Sequence, residues 1–312
     1  MLDINSYTKF IYLVFIKPLI TSLFSIGYKN HGVFMSITNL NWVGDAIDRL
    51  RSKKPLVHNI TNFVVMNTAA NALLALGASP IMSHGIEDLD DLVPAADAIV
   101  INIGTIDEEF AYSMLKAIQL AKMYKKPVVL DPVGAGATRF RTRIALSLLE
   151  NSGISVVKGN FGEILGLLGE YGKTRGVDAA SYDRSIASEA VLQTSKKFSC
   201  VVGLTGYTDF VSDGVNVYEV RLRVESQNLE KVIHRVTGLG CIVSALIGAF
   251  LAIENPLKAT IAGLATFKAV SYKASEETPY PGSFHVKLYD WLYRIDGDIV
   301  RDVVEVREVR SS

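Results

Sequence analysis

The sequence predicts an α/β chain built on a mostly parallel sheet with helices on both faces. Two observations carry that expectation. From Lys54 onward, short β-rich apolar runs alternate with longer helical stretches, the pattern of βαβ units. The apolar runs also lack strict polar alternation, as strands covered on both faces do.

In chain order, the run "PLVHNI" (55–60) is followed by a helical stretch at Val64–Leu76, and "ASPIMS" (78–83) by one at Glu87–Ala96. "AIVINIG" (98–104) leads into Asp107–Tyr124, "KPVVLDP" (126–132) into Thr142–Asn151, and "ISVVKGN" (154–160) into Arg184–Lys197. "CVVGLTG" (200–206) is the last of these runs, and "DFVSDGVNVYEVR" (209–221) reads as a hairpin turning at Asp213-Gly214. Three long helical stretches close the chain, at Cys241–Ile253, Pro256–Glu276 and Ser283–Tyr293. No Ser-rich or Pro-rich linker and no repeat intervenes, so one domain is expected over residues 36–312.

The strand ends are polar. Met82 and Ser83, Asn102, Asp131, Gly159 and Asn160, and Thr205 all fall at carboxyl ends, where open α/β sheets bind their ligands. A second signal is "RVTGLGCIVSALIGAF" (235–250), a glycine pair with a cysteine directly behind it and an apolar helix beyond. Glycine lets a backbone approach a ligand closely, and a helix start offers unpaired N–H groups and a positive dipole end to an anion. No Lys-Ser/Thr follows, so this is not a Walker A loop, and no GxGxxG follows the first strand to suggest a dinucleotide.

Composition sets limits. The 312 residues carry no net charge, with 21% charged and 49% hydrophobic, which argues against nucleic acid as a partner. Two isolated cysteines, Cys200 and Cys241, suit a reducing cytoplasmic setting rather than a disulfide framework, and no zinc spacing occurs. The apolar segment Phe10–Tyr28 is interrupted by Lys17 and Pro18 and lacks a cleavage site. Residues 1–35 are therefore expected to be an extension outside the domain, with a membrane anchor as the alternative.

"HNITNFVVMNTAANALLALGASPIM" (58–82), "DPVGAGATRFRT" (131–142), "KGNFGEI" (158–164), "KTRGVD" (173–178), "VTGLGC" (236–241) and "YPGSF" (280–284) stand in this order. Together they resemble the hydroxyethylthiazole kinases of the ribokinase-like superfamily. The resemblance implies a three-layer α/β/α fold and transfer of the ATP γ-phosphate to the hydroxyl of 4-methyl-5-(2-hydroxyethyl)thiazole, a step of thiamine salvage.

It also implies roles. Cys241 matches the place where related sugar kinases carry the aspartate base, and the turn at Gly238 and Gly240 would hold the transferring phosphoryl group. Asp131 and Glu163 match positions near Mg²⁺, Lys158 and Thr205 contact ATP, and Asn62, Met82 and Gly238 contact the thiazole alcohol. Lys158 departs from the arginine of many members, losing a bidentate fork, and Leu239 is bulkier than the usual residue between the glycines. The thiol is expected to have its pKa, ordinarily about 8.5, lowered by the helix terminus. The family's pocket lies between subunits, so a homotrimer is expected. Two other readings stand beside this one: a kinase for another small alcohol such as a pyrimidine or pyridoxal, and a non-catalytic, membrane-associated binding protein.

Overall fold

The first apolar run folds as β1 (Leu56–Ile60) and the others come after it, as β2 (Ser79–Met82), β3 (Ala98–Asn102), β4 (Val128–Asp131), β5 (Val156–Asn160) and β6 (Val201–Thr205). The computed structural model describes residues 37–151, 153–170 and 183–309. The extension expected at 1–35 and the motif "KTRGVD" lie outside them. Within these residues the sheet has nine strands, ordered β2-β1-β3-β4-β5-β6-β7-β8-β9, with β7 (Asp209–Ser212), β8 (Val217–Leu222) and β9 (Val304–Val309). Pairing is parallel from β2 through β6 and antiparallel from β6 to β9.

β9 is the departure from expectation. Its "VEVREV" pairs along the whole of β8, burying Val304 and Val306 while Glu305 between them and Arg307 beyond are more exposed. That period-2 alternation marks a half-buried edge strand.

Helices α1 (Asn41–Lys53), α2 (Met66–Leu76), α8 (Gln227–Ile233), α9 (Leu239–Leu251), α10 (Pro256–Glu277), α11 (Pro281–Arg294) and α12 (Gly297–Val303) contribute to the core on one face. The opposite face is covered by α3 (Leu89–Ala95), α4 (Glu108–Met123), α5 (Arg139–Glu150), α6 (Phe161–Leu168) and α7 (Arg184–Phe198). Two cores therefore sandwich one sheet, the expected three layers.

Helix α9 is almost wholly buried. The exceptions are the exposed Gly240 and the half-buried Cys241, and a helix apolar all round belongs in a core. Ile247 and Phe250 are fully buried, each contributing about 1.5–3 kcal/mol. The helix presses onto the sheet so closely that a Cβ on Gly248 would lie 2.4 Å from Val100. Only its first turn faces outward, at the carboxyl ends of the strands.

Candidate active site

Doubly covered strands most readily carry polar side chains where they emerge from the core. Asn102 and Asp131 are register partners at the ends of β3 and β4, so their side chains share a face, and Asn102 Nδ2 donates to Asp131 Oδ2 over 2.8 Å. The β4–β5 ladder pairs Leu130 with Val157 and so brings Lys158 alongside, its Nζ 3.5 Å from the same oxygen. Ser244 donates to it from α9 over 2.7 Å. Asp131 Oδ2 is thereby saturated, while Oδ1 is buried and without a partner.

Cys241 stands three residues before Ser244, which puts both on one face of α9. Asn62, just beyond β1, donates through Nδ2 to Asn102 Oδ1 at 2.7 Å and reaches Cys241 Sγ at 3.6 Å. The chain enters α9 at Gly238 with φ of 80°, and a Cβ there would stand 2.5 Å from Val65 Cγ1; glycine is required on both counts. The first intrahelical bond runs from Ile242 N–H to Gly238 O, 3.0 Å. The N–H groups of Gly240 and Cys241 precede it and open outward at the positive end of the helix. A Cβ on Gly240 would lie 3.1 Å from Lys158 Nζ. Ammonium, turn amides and thiol thus border one crevice.

Glu163 belongs to the same edge by a different route. Asn160 caps α6, accepting from Glu163 N–H at 3.0 Å, while Asn160 N–H donates back to Glu163 Oε2 at 2.8 Å, a capping box. Glu163 Oε1 accepts from Gly134 N–H at 3.0 Å, which ties the "PVGAGAT" loop to the start of α6.

Electrostatics follow from burial. Loss of solvent raises the Asp131 carboxyl pKa above its ordinary range, against Lys158 and the hydrogen bonds that favour the carboxylate. Burial raises Glu163 too, and nearby Asp131 adds to it. Burial disfavours the Lys158 ammonium, but Asp131, Glu163 and Cys241 together hold its pKa above the usual lysine value. Cys241 corrects the sequence expectation. Burial, with Asp131 beside it, pushes the thiol up to about 11 despite Lys158, so the group keeps its proton at neutral pH.

The donor set can be tested for Mg²⁺. Among the described residues no group of three or more His, Cys, Asp or Glu converges on one point. Both Glu163 oxygens already accept backbone N–H bonds, whereas the buried Asp131 Oδ1 has no partner. This suits a cation held chiefly by phosphate oxygens and water, with one carboxylate oxygen from the protein.

The geometry gathers Cys241, Gly238, Gly240, Asn62, Asp131, Lys158 and Glu163. Thr205 ends β6 opposite Asn160, its hydroxyl 3.4 Å from Gly159 O. Met82 ends the edge strand β2 opposite Asn59, half-buried against the α9 side of the core. Leu239 finds its room in that same core, 6% exposed. Asn102 and Ser244 complete the cluster although sequence reasoning gave them no role. The signals were a strand-terminal amide beside Asp131 and a hydroxyl three residues after Cys241.

A model of the hydroxyethylthiazole kinase family matches residues 47–298. A hydroxyethylthiazole kinase of Pyrococcus abyssi is 55% identical over 270 residues, 86% of this chain and 99% of the relative. The solved structure of a hydroxyethylthiazole kinase protein from Pyrococcus horikoshii superposes with a TM-score of 0.78 at 50% identity, covering 86% of this chain and 99% of that one. A pyridoxal kinase from Staphylococcus aureus shares the fold, with a TM-score of 0.57 at 17% identity over 82% of this chain and 98% of its own.

Proposed function

The chain belongs to the hydroxyethylthiazole kinase family, and from that membership we propose how its own residues carry the transfer. The reaction is that of an ATP-dependent alcohol phosphotransferase of thiamine biosynthesis: the γ-phosphoryl group passes to the hydroxyl of 4-methyl-5-(2-hydroxyethyl)thiazole. The bond from phosphorus to the new oxygen forms, the bond to the β–γ bridging oxygen breaks, and ADP leaves with the electron pair.

Phosphoryl transfer asks mainly for positioning and charge stabilisation. The outward N–H groups of the turn at Gly238 and Gly240 receive the phosphoryl oxygens, and the Lys158 ammonium lies along the same space. The observation that carries the reading is this convergence, with Lys158 Nζ 3.1 Å from where a Gly240 Cβ would stand and Cys241 in the next position. Lys158 then meets the terminal phosphates rather than the nucleoside, and Thr205, farther along the edge, serves the rest of ATP.

Cys241 borders the acceptor hydroxyl. With its thiol pKa at about 11 it stays protonated and orients the hydroxyl in the ground state, and the hydroxyl proton passes late, once bonding to phosphorus is advanced, to an oxygen of the transferred phosphoryl group and from there to solvent. Asn62, locked by Asn102, directs its amide to the hydroxyl end, and Met82 offers a thioether to the flat ring. Mg²⁺ would be held by Asp131 Oδ1 and, through water, Glu163, and when bound it neutralises charge on the β- and γ-phosphates. Phe63 and Val64 are exposed beside Asn62, which supports a pocket completed by another subunit of a homotrimer. Among the described residues no helix is long and apolar enough to cross a membrane.

A coupled ADP-release assay with Mg-ATP tests the function, run with the thiazole alcohol, a hydroxymethylpyrimidine and pyridoxal. The thiazole should give the highest kcat/KM. Turnover of another alcohol in its place, or thiazole binding without turnover, would overturn the reading.

A further inference from the structure

A second cation stands at the rim of the crevice. Arg141 is in the first turn of α5, whose cap Thr138 accepts from its N–H at 3.2 Å. Its side chain does not extend into solvent. It folds back over the loop behind β4, where a Cβ on Gly134 would collide with Nη1 at 2.5 Å and with Cδ at 2.8 Å. Gly134 has φ of 78°, so the turn that admits the guanidinium is also one that glycine alone adopts readily.

The guanidinium spans two loops of the site. Nη2 donates to Gly104 O over 2.7 Å. Gly104 N–H in turn holds Asn102 Oδ1 at 3.0 Å, and Asn62 Nδ2 lies 2.7 Å from where a Gly104 Cβ would be. On the other side, Gly134 N–H holds Glu163 Oε1 at 3.0 Å. Arg141 is thus one residue removed from the amide that touches Cys241 and one removed from Glu163.

Its hydrogen-bonding capacity is mostly unspent. A guanidinium carries five N–H donors, and among the described residues the bond to Gly104 O is the one that the Arg141 side chain makes, with no described carboxylate paired to it. Meanwhile the crevice holds two carboxylates, Asp131 and Glu163, and one buried ammonium, Lys158. A polyphosphate entering this edge brings more negative charge than Lys158 and the turn amides balance. Lys158 is also a point charge without a fork.

We propose that Arg141 is a second cationic contact for the transferring phosphoryl group, a preorganised fork laid over the Gly134 turn at the mouth of the crevice. It keeps its bond to Gly104 and turns its remaining donors to the terminal phosphate as negative charge shifts there. This rests on the phosphotransferase reading above, but its test separates the two.

Arg141→Met and Arg141→Lys are compared with wild type by calorimetry with AMP, ADP and the β,γ-imido analogue of ATP, and by steady-state turnover of the thiazole alcohol. Arg141→Met should weaken the imido analogue tenfold or more while AMP affinity stays unchanged, and kcat should fall about 100-fold. Arg141→Lys should be intermediate. Millimolar guanidinium should restore part of the activity of Arg141→Ala. If AMP and the triphosphate analogue lose affinity equally, or kcat is unchanged, Arg141 is only a tie between two loops and the proposal falls. Should Arg141→Met not fold, the AMP-to-triphosphate contrast in Arg141→Lys decides. A wild-type protein that binds ATP yet phosphorylates no thiazole would overturn the function but leave that contrast to judge Arg141.

Discussion

Gly240→Ala separates folding from chemistry at the centre of the site. Gly240 opens the first turn of α9, is exposed, and has a backbone that any residue can adopt. Replacing glycine in a helix removes backbone entropy from the unfolded chain, a gain of up to about 0.5–1 kcal/mol, or about 1–4 °C in Tm for a chain of this size. The new Cβ would stand 3.1 Å from Lys158 Nζ, so the ammonium must retreat by a few tenths of an ångström. Lys158 is buried and held beside Asp131, so it retreats away from the crevice. At an effective dielectric of about 20, widening an ammonium–phosphate separation from about 3.0 to about 3.5 Å weakens the attraction by ~0.8 kcal/mol per unit charge. For a phosphoryl group carrying nearly two charges that is ~1.5 kcal/mol, about tenfold in rate. Thermal melts beside kcat/KM for ATP check both halves: stability equal or higher, kcat/KM at least tenfold lower. A variant with wild-type kcat/KM, or one whose activity falls only with its folded fraction, refutes the argument.

Other substitutions probe the rest of the site. Lys158→Met leaves Asp131 and Glu163 buried without their cation and should cost about 3–5 kcal/mol by urea denaturation; restoration of much of that loss in Lys158→Met/Asp131→Asn checks the cause. Cys241→Ser should slow turnover strongly while Cys241→Asp retains activity, and wild-type kcat should vary little from pH 7 to 9 because the thiol, at about 11, stays protonated. A rate climbing steadily with pH would count against late proton loss, and a folded but inactive Cys241→Asp would count against a place for this position beside the acceptor hydroxyl. His58, fully buried on β1 with Nε2 2.9 Å from Ser83 O, has its pKa lowered by burial, against Ser83 O and Asp88. The unfolded chain then binds the proton first, so this contribution to stability is present above pH 6.5 and is lost as pH falls toward the lower folded pKa. His58→Gln should flatten that part of the stability–pH curve.

The strand-helix alternation was legible because doubly covered strands must be nearly all apolar, and the observed β1 to β6 fall inside the runs read from sequence. The last third was less so. α8 and α12 span seven residues each, too short for a helical period to register, and β9 lies beyond Tyr293, where no element is read from the sequence. At the site, the glycine turn and the strand-terminal acids announced themselves by type and position. Asn102, Ser244 and Arg141 did not, since an amide, a hydroxyl and an arginine are ordinary at strand ends and on helices. The pairing of β3 with β4, the approach of α9 and the fold-back over Gly134 give them meaning. The Cys241 pKa was misread for a related reason: a sequence displays the helix start but not how deeply the rest of the helix is buried.

A crystal structure with the β,γ-imido analogue of ATP, Mg²⁺ and the thiazole alcohol tests the central claim most directly. The terminal phosphate should accept hydrogen bonds from the N–H groups of Gly240 and Cys241, with Lys158 Nζ beside it and the alcohol oxygen against Cys241 Sγ. A terminal phosphate bound elsewhere, with the turn amides facing only water, would contradict the account.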